Sequence, residues 1–208
     1  MSDPSRSLIA VAILAGGNSR RMGRDKAALL DEHQSLISRQ VLELRSVLPA
    51  LPVFVCAGSR RYQELLPHGI HYVSDEVADA GPLAGIAEAL KAAKALNVDD
   101  GHVLVMPTDS LIPPSQIHRL LVDAATESAD VVLLKGQRLH PLHGLFSTQL
   151  ALSMHRYLTA GGRAVMGFLD NERWEIALAP DDWEPCLNFN TPEEYAYARS
   201  ALPKATVV

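Results

Sequence analysis

The residues most suited to chemistry lie between Leu14 and Lys26, in the run Leu-Ala-Gly-Gly-Asn-Ser-Arg-Arg-Met-Gly-Arg-Asp-Lys. Gly16 and Gly17 let the backbone come close to a ligand and permit φ > 0. Successive N–H groups in such a loop can form a concavity for an anion. Arg20, Arg21, Arg24 and Lys26 place mobile positive charge around it. The loop lacks GK[ST] and GxGxxG, so neither an ATPase P-loop nor a dinucleotide dehydrogenase is indicated. A second candidate is Asp109, in Thr108-Asp109. A carboxylate at a strand's carboxyl end can hold Mg²⁺, which prefers hard oxygen ligands and phosphate. The same residue types before a proline-rich turn also serve as turn or cap residues. A third is Asp75 followed by Gly81-Pro-Leu-Ala-Gly85. Gly81 and Gly85 leave room for a base or ribose against a helix's first turn, although the segment also reads as an ordinary helix start.

Positioning such groups requires a scaffold, and the pattern supplies one. Leu8–Leu14 has no polar residue, as expected of a strand covered on both faces. Ser35–Leu48 carries Leu36, Ile37, Gln40, Val41, Leu44, Val47 and Leu48 on one helical stripe, with Ser35 as cap. Strands are expected at Val53–Ala57, Ile70–Val73, His102–Pro107, Asp130–Leu134, Leu142–Ser147 and Trp174–Ala179. Helices are expected at Ser59–Leu66, from Pro82 to about Leu96, and at Pro114–Thr126, Gln149–Thr159, Arg163–Leu169 and Pro192–Leu202. Repeated β-then-α order predicts an α/β fold: a three-layer, Rossmann-like, mostly parallel sheet with helices on both faces. Ligands then sit beyond the carboxyl ends of the strands, where Gly16 and Asp109 both fall.

The chain has 208 residues, a net charge of -5 and 48% hydrophobic residues. That predicts one globular domain spanning 1–208. An acidic chain speaks against a general nucleic-acid partner. Arg6 and the apolar run after it have the outline of a signal peptide. The run is short, however, and leads into a glycine and charge cluster rather than a cleavage site. No run approaches ~20 apolar residues, so no membrane role is expected, and the reading is a cytoplasmic protein. The two cysteines, Cys56 and Cys186, could form one disulfide, but reduced thiols are the simpler reading. His140 and His143 have no third ligand beside them and read as loop or core histidines.

The run Leu14–Lys26 resembles the LAGGxSxRMGxDK signature of the molybdenum cofactor guanylyltransferase family. The resemblance covers the chain and is densest over residues 8–30, 70–90 and 103–114. It implies a fold of the nucleotide-diphospho-sugar transferase type. It implies that Leu14, Ala15, Gly16, Gly17, Arg21 and Lys26 wrap a nucleotide and its phosphates. It gives Asp109 the metal, Mg²⁺ or Mn²⁺ in its place. Asp75 and the loop Gly81, Pro82, Leu83 then hold the guanine nucleotide. The pairing of LAGG with GPLAG resembles guanylyltransferases more than cytidylyltransferases, whose first loop usually reads LAAG. Weaker matches at His140-Pro141, Gly162-Arg163-Ala-Val-Met166 and Asn188-Phe-Asn190-Thr-Pro-Glu-Glu194 suggest Arg163, Asn188 and Asn190 for the pterin substrate. Asn190 and Thr191 could equally cap the last helix. Cys56 departs from the pattern, standing where the family often has an asparagine that touches the nucleotide.

The expectation is a Mg²⁺-dependent guanylyltransferase moving GMP from GTP to the terminal phosphate of Mo-molybdopterin. Its N-terminal half would bind the nucleotide and its C-terminal half the acceptor. Arg21, Lys26 and Asp109 would be its catalytic residues. Cofactor-biosynthesis proteins or target molybdoenzymes are further partners implied by the resemblance alone. The alternatives are a cytidylyltransferase or sugar-1-phosphate nucleotidyltransferase with the same phosphate machinery, and a nucleotide-binding regulator without turnover.

Overall fold

The structure is a computed structural model that describes residues 8–16, 25–31, 33–58, 60–74, 80–96 and 101–202. Strand β1 (Leu8–Leu14) lies inside a seven-stranded sheet. Its lack of polar residues fits that place, because both of its faces are covered. β4 (Val53–Cys56) and β5 (His71–Val73) lie to one side of it. β6 (His102–Pro107), β8 (Leu139–Ser147), β7 (Val131–Lys135) and β9 (Trp174–Leu178) follow on the other. The order is β5-β4-β1-β6-β8-β7-β9, parallel throughout except for β8, which runs antiparallel to β6 and β7. Leu14 is in register with Cys56 on one side and Pro107 on the other, so three strands end together. The chain winds outward from β1 to β5 and returns to β6, which places the order reversal, and the ligand crevice it creates, between β1 and β6.

Alternation along the strands separates two apolar layers. Val11, Ile13, Val53 and Val55 face α1 (Leu36–Val47), α3 (Pro114–Ala124), α6 (Glu184–Leu187) and α7 (Pro192–Ser200). Ala10, Ala12, Phe54 and Cys56 face α2 (Pro82–Lys94), α4 (Ala151–Thr159) and α5 (Val165–Leu169). This is the expected three-layer α/β arrangement. Small residues on the α2 side let that helix come close. A Cβ on Gly85 would meet Cys56 Cβ at 3.1 Å and a Leu14 methyl carbon at 3.2 Å.

Ser35 caps α1 as its type suggests, its side chain accepting from the Ser38 N–H at 3.3 Å. Val47, expected on the buried stripe, is 47% exposed in the last turn. Three local features depart from the pattern. Residues 60–66 form turns where a helix was expected; Ser59 lies outside the described residues. Pro67 disfavours the helical region for Leu66, and Tyr62 turns inward instead. A short antiparallel pair, β2 (Leu30–Asp31) and β3 (Gln34–Ser35), precedes α1. A single turn, Thr148–Leu150, precedes α4, which starts later than expected. Both cysteines are free and buried. Among the described residues no helix is long and apolar enough to cross a membrane.

Candidate functional site

Lys26 lies in a turn just before the β2–β3 pair. Leu29 N–H donates to its carbonyl at 3.1 Å, and Ala27 N–H donates to Asp25 Oδ1 at 3.1 Å. Its ammonium reaches across the carboxyl end of the sheet. It donates to Asp109 Oδ2 at 3.0 Å, to the Phe189 carbonyl at 2.7 Å and to Asn190 Oδ1 at 2.9 Å. Lys26 and Asp109 are only 14% and 17% exposed, so this pair is stronger than a surface salt bridge. The ammonium also lies 5.9 Å from the centroid of the Phe189 ring.

Asp109 is held from several directions. The Thr108 N–H donates to the Leu14 carbonyl at 3.2 Å, tying the loop after β6 to the end of β1. Gln40 of α1 donates to the Pro107 and Ser110 carbonyls at 3.1 and 3.3 Å. The Leu111 N–H donates to the Cys186 carbonyl at 2.8 Å. Within this brace Asp109 Oδ1 is buried with no hydrogen-bond partner among the described residues. A buried carboxylate oxygen without a partner is costly, and a hard divalent cation with phosphate oxygens would satisfy it. Asp109 therefore fits the metal that the motif implies.

Asn188 and Asn190 join the same cluster, Asn190 Nδ2 donating to Asn188 Oδ1 at 2.7 Å. The side-chain cap of α7 is Thr191, its hydroxyl oxygen accepting from the Glu194 N–H at 3.2 Å; Asn190 joins that helix start only through its backbone N–H, which donates to Glu194 Oε2, and its side-chain oxygen accepts from Lys26. Lys26, Asp109, Asn188 and Asn190 are thus brought together.

The other expected residues divide. Leu14, Ala15 and Gly16 stand at the end of β1, but the Ala15 and Gly16 N–H groups both donate to the Cys56 carbonyl, at 2.9 and 3.1 Å. Those two amides are engaged by the neighbouring strand rather than turned to a phosphate. Nor is Gly16 among the glycines with positive φ. Gly17, Arg20, Arg21, Arg24 and Asp75 lie outside the described residues. Gly81 and Pro82 are exposed at the start of α2, and Gly81 has φ 70° with open space where a Cβ would stand. The Leu83 side chain is fully buried, so only its backbone could face a nucleotide. Gly85 packs against Leu14 and Cys56, a helix-to-sheet contact in place of the room for a base or ribose expected there. Arg163 is exposed and donates to the Leu158 and Gly162 carbonyls at 2.9 and 2.7 Å, closing the end of α4. No described hydrogen bond or ion pair links it to Lys26 or Asp109. Cys56 donates its thiol to the Gly85 carbonyl at 3.2 Å inside the α2 layer.

The sequence reading missed the grouping of Tyr62, Asp25 and Arg60, and the part of Glu184 beside the two histidines. Tyr62, Asp25 and Arg60 gather beside Lys26; the Tyr62 phenol is pushed up to about 12 by burial first and by its hydrogen bond to Asp25 second. On the other side, Glu184 accepts from the Gln137 N–H at 2.8 Å and lies 3.4 Å from His140 Nε2. The rings of His140 and His143 meet edge to face at 5.8 Å. Burial pushes His140 below the usual imidazole range against the pull of Glu184, and takes His143 down to about 3. Both are core histidines. That agrees with their reading as loop or core histidines, and burial places them in the core.

Residues 11–174 match the model of the MobA-like NTP transferase domain. A molybdenum cofactor guanylyltransferase from Cereibacter sphaeroides is 34% identical over 194 residues, covering 92% of this chain and 96% of the relative. Another from Rhizobium meliloti is 30% identical over 200 residues, covering 92% and 90%. The crystal structure of molybdopterin-guanine dinucleotide biosynthesis protein A from Archaeoglobus fulgidus superposes with TM-score 0.68 at 20% identity, covering 92% of this chain and 97% of that one. A 4-diphosphocytidyl-2C-methyl-D-erythritol synthase from Anaerococcus prevotii shares the fold at TM-score 0.69 and 11% identity, covering 96% and 97%.

Proposed function

We propose that this chain, which belongs to the family of MobA-like NTP transferase domains, is a guanylyltransferase. It transfers GMP from GTP to the terminal phosphate of Mo-molybdopterin and releases pyrophosphate. The observation that carries the reading is the Lys26–Asp109 pair at the junction of β1 and β6, with Asp109 Oδ1 left for a cation. Relatives named molybdenum cofactor guanylyltransferase, matched over nine-tenths of the chain, support the guanine and pterin assignments.

The chemistry asks little proton transfer of the protein. An oxygen of the acceptor phosphate, already anionic, attacks the α-phosphorus of GTP. A new P–O bond forms as the bond to the bridging oxygen of the β-phosphate breaks, and pyrophosphate carries the electron pair away. Catalysis is then alignment and charge neutralisation. Asp109 would hold Mg²⁺, or Mn²⁺ in its place, which neutralises charge on the triphosphate when bound. Lys26 exchanges part of its contact with the Phe189 carbonyl and Asn190 for a phosphate oxygen, supplying a point charge. Arg21 adds a forked donor to the leaving phosphates. Leu14, Ala15, Gly16 and Gly17 shape the nucleotide side, and Asp75 with Gly81, Pro82 and the Leu83 backbone holds the guanine. Arg163, Asn188 and Asn190 take the pterin acceptor. In this reading residues 1–208 form one domain whose first half serves the nucleotide and second half the acceptor. Its place is the cytoplasm, consistent with two free thiols. Cofactor-assembly proteins or target molybdoenzymes receive the product.

Pyrophosphate release tests this with Mg²⁺, Mo-molybdopterin and each of GTP, CTP, UTP and ATP. GTP should be consumed fastest, and only with the acceptor present. Faster turnover of CTP or UTP would make the chain a cytidylyl- or sugar-phosphate nucleotidyltransferase, and GTP binding without pyrophosphate would make it a regulator.

A further inference from the structure

The segment 60–66 carries Tyr62 into the core, where it is 5% exposed in the same apolar layer as Ala15 and Ala27. Its hydroxyl donates to Asp25 Oδ2 at 2.8 Å and lies 3.3 Å from the Ala15 carbonyl. Ala15 directly follows β1, and Asp25 directly precedes Lys26. The other Asp25 oxygen accepts the Ala27 N–H at 3.1 Å, so one carboxylate braces the backbone on both sides of Lys26. The Arg60 guanidinium, 3.5 Å from Oδ2, adds charge at the rim. We infer that Tyr62 is a positioning residue, whose hydroxyl holds the Asp25 carboxylate and thereby sets the Lys26 ammonium onto Asp109.

The inference rests on the reading of Lys26 as the phosphate-handling group, but its geometry does not. The hydroxyl anchors a residue that touches neither Asp109 nor the acceptor asparagines in any described hydrogen bond. It gives the turn a fixed point in the core, which a lysine on a long flexible stem needs if its charge is to act at one place. With its phenol raised to about 12, Tyr62 remains a donor across the working pH range.

Tyr62→Phe keeps the ring and deletes the hydroxyl, and two measurements read the result. The first is acetylation of the free protein by limiting acetic anhydride, followed residue by residue by mass spectrometry. The Lys26 amine should be modified about fivefold or more faster in the variant, while the exposed Lys94 and Lys135 keep their rates. The second is pyrophosphate release at saturating nucleotide. There Tyr62→Phe should lower kcat about 10-fold in the wild-type background and have almost no effect in a Lys26→Ala background. A purely structural role would give the same fold-loss in both backgrounds. An unchanged Lys26 modification rate, or equal losses with and without Lys26, overturns the inference. Faster modification of Lys26 in a protein that turns over no nucleotide would uphold the positioning role and sink the proposed function instead. If Tyr62→Phe loses its cooperative thermal unfolding, Asp25→Asn, which leaves Tyr62 in the core, is read by the same two measurements.

Discussion

At the scale of single residues, Lys26 is held by a carboxylate, a carbonyl and an amide oxygen. The three differ in what they contribute. Asp109 supplies charge, so Asp109→Asn should leave Lys26 its described contacts with the Phe189 carbonyl and Asn190, and the loop its brace, while removing the hard ligand. We predict a fall in kcat/KM of ~10²-fold or more, with a melting temperature within a few degrees of wild type. Unchanged pyrophosphate release by a folded Asp109→Asn protein would remove Asp109 from the machinery. Asn190 supplies only a neutral acceptor, so Asn190→Ala should cost about 10-fold, less than either charged partner. If Asn190→Ala instead matched Lys26→Ala in steady-state assays, its contact with the acceptor would outweigh its hold on the lysine.

At the scale of elements, β8 and the α2–sheet contact each make a claim. His143 on β8 is fully buried, and burial takes its pKa from the ordinary imidazole value of 6.5 down to about 3. Between these values the unfolded chain binds the proton and the folded one does not. Stability is therefore fully present above about pH 6.5 and is lost as pH falls, by ~1.4 kcal/mol per pH unit for this one group. His140 shifts in the same direction and adds to the slope. His143→Gln should flatten it, reducing the loss between pH 7 and 5 by ~2 kcal/mol in urea unfolding; parallel curves for the two proteins would contradict the assignment. Cys56 makes the second claim. Its thiol is directed into the α2 layer, so Cys56→Ala should cost about 1 kcal/mol of stability and leave the ranking of nucleotides unchanged. The sequence disclosed which segment is a strand here but not which way its last side chain points, and a strand terminus one residue off reverses the answer. β1 and β6 were legible because buried parallel strands carry no polar residue, and α1 because Ser35 and the Leu36–Leu44 stripe agree. The turns at 60–66 were not, since Tyr62, Leu65 and Leu66 are spaced as on a helix while the tyrosine hydroxyl follows Asp25. α6 spans four residues and has no period to read. Lys26 and Asp109 were legible as types at strand ends; that Asn190, 164 residues away, would hold the lysine was not, because no local pattern encodes that contact.

At the scale of the molecule, the Lys26–Asn190 contact joins the turn before β2 to the segment before α7, across the end of one continuous sheet. Both apolar layers share that sheet, so nucleotide bound at the β1–β6 junction should stabilise both halves together. A ligand at 100 times its dissociation constant adds ~2.7 kcal/mol, which for a chain of this size raises the melting temperature by roughly 5–10 °C. We predict one transition, moved as a whole by GTP with Mg²⁺, less by GTP with a chelator, and least by CTP or UTP. A shift with CTP in place of GTP would keep the Lys26–Asp109 chemistry and overturn the guanine assignment. Two transitions, only the first of them moved by nucleotide, would separate the halves into independent units. The acceptor asparagines would then no longer report on the nucleotide through Lys26. A single shifted transition means that filling one half of the crevice sets the stability of the other, as a lysine shared between the two sides requires.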